Sequence, residues 1–101
     1  MGDEDAQNYT WGRLSFTCMI GDMSLNQALA FLENGDWESA HPIVQNESGP
    51  TAAWAHGIVH ILEGDYPNAR YWYGRAGRAY PGPDRVREEL AELKQALAAG
   101  A

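Results

Sequence analysis

A chain of 101 residues suits one domain, and 45% hydrophobic residues with four tryptophans can fill its core without metal or disulfide support. Cys18 is the only cysteine, which excludes an internal disulfide and favours a reducing compartment. A net charge of −7 argues against a general nucleic-acid binder, since phosphate contact needs a basic face.

The charge is unevenly spread. Ten of the 14 carboxylates lie before residue 70 with one basic group, Arg13, whereas the rest of the chain holds the other six Lys and Arg. That polarity favours head-to-tail association of copies. The apolar run Phe16 to Ile20 contains Thr17 and falls far short of the roughly 20 residues that a bilayer span requires. Asp3-Glu4-Asp5 stands where a secretory signal needs basic residues, and Ala6 where a myristoylation signal needs Ser or Thr. The expectation is a cytoplasmic protein without a membrane partner.

Residues 1–8 read as an acidic, flexible segment ahead of a single helical domain over residues 9–101. Within 9–20, Trp11, Leu14 and Cys18 suit a helix, while the Thr and aromatic content also suits a strand. Ser24 and Gln27 form a capping box for a helix to about Asn34, with Leu25, Ala28, Leu29 and Leu32 on one face. A glycine past a helix end can close its last carbonyls in the left-handed conformation, and an aspartate can cap the next helix. Gly35-Asp36 and Gly64-Asp65 set the two side by side, which predicts a tight helix hairpin at each; a third pair stands at Gly21-Asp22. The second helix carries Trp37, Ala40, His41 and Val44 on one stripe, and Pro42 is predicted to kink or delay it.

Ser48-Gly49-Pro50 breaks the pattern, with Pro50 in the first turn of a third helix running to Glu63. A fourth helix is predicted from Tyr66 to Ala79, before Pro81-Gly82-Pro83. Gly74 and Gly77 weaken it and imply close approach by another chain segment. Val86, Leu90, Leu93 and Leu97 mark a final helix with the single apolar stripe of a terminal cap.

The two joints, about 29 residues apart, make an internal repeat. Gly57, Ala69, Tyr73, Ala76 and Pro81 follow a spacing that resembles tetratricopeptide repeats, over residues 50–81. The earlier hairpin, residues 24–47, keeps Phe31, Ala40 and the joint but is shorter. His56 and His60 occupy two slots that the family fills with large apolar residues, and Trp54 is shifted by one from the family's early Trp. Trp37, Ala40, His41, then His56, His60, Glu63, Gly64, Asp65, Asn68, Ala69, Tyr71, Trp72 and Tyr73 also resemble a motif of small uncharacterised bacterial and fungal proteins. These features predict an all-α fold: a short tetratricopeptide-like array of antiparallel helix hairpins, about five helices with a C-terminal capping helix.

On the third helix His56, His60 and Glu63, spaced i, i+4, i+7, share a face opposite Trp54, Ile58, Ile61 and Leu62. Helical packing would turn that face toward a neighbouring helix, and His41 on the second helix can point into the same gap. Three imidazoles and a carboxylate can bind Zn or another divalent transition metal tetrahedrally, or through three ligands with a place for water. The alternatives are core-edge histidines bonded to Tyr66, Tyr73 or Asn68, and a catalytic histidine without metal, for which no activated nucleophile stands nearby.

Tyr71-Trp72-Tyr73 spans about 200° of the fourth helix, so one face cannot bury all three. Tyr73 follows the core stripe, and Trp72 is predicted to pack on the last helix or on another subunit. Tyr71 aligns with Arg75 and Arg78 in an outward aromatic–cationic strip. With Arg70 and Tyr73 these make a candidate binding surface for a carboxylate or nucleotide, or for acidic side chains of a partner. The first functional expectation is an interaction or scaffold module with a protein or peptide partner, or a homodimer, because about two hairpins leave an array end open. The second is a metal-binding protein or metal-dependent hydrolase using His41, His56, His60 and Glu63. A nucleic-acid role for Arg70, Arg75, Arg78, Arg85 and Arg87 has the overall charge against it.

Overall fold

The computed structural model describes residues 20–100, with side chains from Leu25 onward; the expectations for residues 1–19 lie outside it. Five helices follow one another, α1 (Ile20–Glu33), α2 (Trp37–Gln45), α3 (Pro50–Glu63), α4 (Tyr66–Ala76) and α5 (Val86–Ala98), with no strand among the described residues. The chain is all-α, as its periodicity requires.

Both Gly-Asp joints are built alike. At the first, the Gly35 N–H donates to the Leu32 carbonyl and the Asp36 N–H to that of Phe31, at 2.9 and 2.8 Å. At the second, Gly64 donates to Ile61 and Asp65 to His60, at 3.1 and 2.9 Å. This paired closure needs the left-handed conformation that glycine adopts without strain, and Gly35 and Gly64 stand at φ 76° and 89°. Each aspartate then turns outward to start the next helix. Asp36 accepts from the Ser39 N–H at 3.2 Å, and Asp65 from the Asn68 N–H at 3.5 Å and side-chain amide at 3.1 Å. Two or three residues therefore reverse the chain, and the helices they join pack on each other.

Three local expectations shift. Helix α1 begins at Ile20 and runs through Gly21-Asp22, so Ser24 lies inside it and not at its start. Helix α2 starts directly after its Asp36 cap and continues through Pro42 without delay. Helix α4 stops at Ala76, because Gly77 repeats the left-handed closure at φ 72°, its N–H and that of Arg78 reaching the Gly74 and Tyr73 carbonyls. A Cβ on Gly74 would meet open space; the close approach in this fold is at Gly57, where a Cβ would lie 2.5 Å from the Tyr73 ring.

Helix α3 is the axis of the bundle. Residues 52–61 are all buried, and α3 contacts α1, α2, α4 and α5. Ala28, Leu29, Leu32, Ala40, Val44, Ile58, Val59, Ala69, Tyr73, Leu90 and Leu93 form one continuous core around it. The contact with α4 is the most extensive. Helix α5 lies against α1 and α3, and reaches the α4 region through two acidic side chains. One is Glu89, buried, whose Oε1 accepts from Trp54 Nε1 at 2.9 Å and from the Tyr73 hydroxyl at 2.8 Å. Burial, then that hydrogen bond and its charge, hold the Tyr73 phenol above its ordinary pKa, keeping it a donor. The other is Glu92, paired with Arg78 at 2.8 Å. No helix among the described residues is long and apolar enough to cross a membrane.

Candidate metal centre

One face of α3 is polar despite its burial. His56 and His60 are 5% and 6% exposed, one helical turn apart, and half-buried His41 comes across from α2. Each of the three offers a ring nitrogen, and these nitrogens lie within 4.8 Å of one another. The ring centres are 5.1 Å apart for His41–His56, 5.3 Å for His41–His60 and 5.0 Å for His56–His60. The His56 and His60 planes lie within 20° of each other, and His41 stands across both at 76° and 71°.

A simple fit test applies. With Zn–N near ~2.05 Å and each ring centre about 1.1 Å further out, tetrahedral imidazoles put their ring centres about 5.1 Å apart and their nitrogens ~3.3 Å apart. The ring centres already stand at that spacing. Ring rotation would draw the nitrogens inward from their present separations of up to 4.8 Å. Burial, then the charges of His60 and His41, lower the His56 pKa from 6.5 to about 4. His56 is therefore neutral at pH 7, the state in which imidazole is a ligand.

Their surroundings orient them. Trp72 stacks on His56 with centroids 3.9 Å apart and planes 10° apart. Trp72 was expected on the last helix or on a second subunit; the i+4 register of α4 on α3 lays it on the histidine face instead. Nδ1 of His60 is 2.8 Å from Oε1 of Glu63, so the ring donates there and presents Nε2 as its free ligand atom. Glu63 is grouped with His60 and Asp65, not with the three histidines, so in this arrangement it supports a ligand from outside the ring of three. Tyr73, one of the tyrosines expected to pin the histidines, bonds Glu89 instead, and the His41 and His56 side chains have no hydrogen bond among the described residues.

The cluster opens on a groove of about 670 Å³, closed on its other sides by Gln45 at the end of α2, Glu47, Ser48 and Pro50 leading into α3, and by Asn68, Trp72 and Arg75 of α4. Of the predicted binding strip, only Arg75 reaches this groove. Arg75 leans on Trp72 at 5.8 Å and on Tyr71 at 5.9 Å, with a long 3.4 Å hydrogen bond to the Tyr71 hydroxyl. Tyr71 is 53% exposed, and Arg70 lies over Tyr80 at 5.1 Å. Two members of the strip point elsewhere. Tyr73 is fully buried and so belongs to the core, and Arg78 turns inward, 3.6 Å above the Trp54 ring and paired with Glu92. Sequence spacing put Tyr71, Arg75 and Arg78 on one strip because it could not register the left-handed turn at Gly77, which redirects Arg78.

No protein-family model, curated protein or solved structure matches the chain.

Proposed function

We propose that this chain is a metal-binding helical protein whose His41, His56 and His60 hold one divalent transition metal, zinc being the best match to three nitrogen donors. The observation that carries the reading is the convergence of three imidazoles, from two helices, at ring spacings that suit tetrahedral ligation. Free nitrogens on His41 and His56 and a carboxylate on Nδ1 of His60 add to it. Three protein ligands facing a groove leave a fourth place for water, the arrangement of a hydrolytic centre. Glu63, through His60, positions a ligand and makes it more basic.

Titration calorimetry with zinc on tag-free protein tests this. One ion per chain is expected, with binding lost in the His56→Ala/His60→Ala double variant while helical circular dichroism persists. No heat with the parent protein, or equal heat with the double variant, would remove the reading.

The exposed Tyr71 under Arg75 favours a second reading, an interaction module that takes acidic side chains of a partner or of another copy along Arg70, Tyr71 and Arg75. Light scattering that returned a monomer at every concentration would count against the self-associating form.

A further inference from the structure

Among the described residues Arg75 is the one Lys or Arg on the groove wall, and no carboxylate pairs with it there. It shares the Trp72 ring with His56, whose centre is 3.9 Å from the indole while the guanidinium carbon is 5.8 Å from it. The guanidinium and the nearest imidazole are thus less than about 10 Å apart, with open groove beside both. A small oxyanion can span a separation of that order, with one oxygen on the ion and another on the fork of Arg75. Charge agrees with this. The lining carboxylate, Glu47, is outweighed by a divalent ion and Arg75 when the imidazoles are neutral. On a chain of net charge −7 this groove is the place where a negative ligand is drawn in, not repelled.

Resting on the metal reading above, we infer that the groove binds a small ligand bearing a phosphate or carboxylate group, one oxygen taking the open metal position and Arg75 clamping a second. Asn68, Gln45 and Ser48 supply neutral hydrogen-bonding groups around it. Arg75 is then the residue that selects anionic over neutral ligands, and its planar fork gives it an advantage over lysine.

Cobalt(II)-loaded protein provides the test, because its visible spectrum reports the ligands on the ion. Inorganic phosphate and oxalate, titrated separately, are expected to change the spectrum of the parent protein saturably; whichever binds tighter tells the phosphate source from the carboxylate source. R75Q should keep the anion-free cobalt spectrum and bind the anion at least tenfold more weakly, with R75K between the two. Lys94, exposed, paired with Glu33 and outside the groove, gives the control, and K94Q should behave as the parent. If cobalt binds but neither anion alters the spectrum, or if R75Q binds anion as the parent does, the inference is overturned and the metal reading stands. If phosphate binds metal-free protein equally well, the bridging geometry is wrong. Failure of cobalt to bind at all would overturn both.

Discussion

Replacing Gly57 by alanine places a methyl group where the structure has a tyrosine ring. The new Cβ would sit 2.5 Å from Cδ1 and 2.7 Å from Cε1 of Tyr73, against the ~3.5–4.0 Å of ordinary carbon contacts. Tyr73 has no exposed surface, so its ring cannot swing out and must retreat by about 1 Å within a packed core. Overpacking of this kind costs about 1–3 kcal/mol. The same retreat stretches the 2.8 Å hydrogen bond to Glu89, and a bond to a charged group contributes roughly 1.5–3 kcal/mol. Alanine returns up to about 1 kcal/mol through its better helix propensity. The balance is a loss of about 3 kcal/mol, or a fall in Tm on the order of 15 °C for a domain of this size. Urea unfolding followed by circular dichroism measures it. The sign should reverse in a Tyr73→Ala background, where Gly57→Ala removes flexibility and meets no ring. A Gly57→Ala protein as stable as the parent, or one equally harmed with and without Tyr73, would refute the reasoning.

Other outcomes follow from the same packing. Glu89→Leu leaves the buried Trp54 Nε1 and Tyr73 hydroxyl without their acceptor and should cost about 2–4 kcal/mol, whereas Glu89→Gln, which keeps a carbonyl oxygen, should cost about 1 kcal/mol in the same urea assay. In metal-free protein, His56 takes its proton at about 4 when folded and at 6.5 when unfolded, so its neutral form supports the fold fully above pH 6.5. That support declines as pH falls from 6.5 toward 4, by roughly 3 kcal/mol in all, and His56→Gln should remove this slope from a stability–pH series. Glu63→Gln should weaken zinc binding about 10- to 100-fold while leaving one ion per chain, measured by competition with a chelating dye.

The parts of this protein that were legible in sequence are those fixed within a few residues. Gly35-Asp36 and Gly64-Asp65 announce their function because the closure and the cap each involve bonds spanning three to five positions. The His56/His60 pair is legible for the same reason, since one helical turn places both on one face. The arrival of His41 depended on how α2 seats on α3, which spacing only permits. Nothing in the sequence singles out Glu89 beside the Val86, Leu90, Leu93 stripe. Its burial comes from partners 35 and 16 positions away, Trp54 and Tyr73, which no local pattern connects to it. Trp72 was misplaced by similar logic: its register on α4 is clear, but the helix it faces is α3 and not α5. Gly77 reads in sequence as a close approach within a helix running to Ala79, and its left-handed φ of 72° makes it the helix stop instead.

X-ray absorption of the zinc-loaded protein, tag-free and metal-saturated, addresses the histidine centre most directly because it counts the atoms around the ion. Three imidazole nitrogens at about 2.0–2.1 Å with one further light ligand, falling to fewer imidazoles in His41→Ala, is the outcome that convergence of α2 and α3 predicts. Zinc surrounded by carboxylates or water alone, or ligation unchanged without His41, would mean that the three rings pack together for the fold and hold nothing.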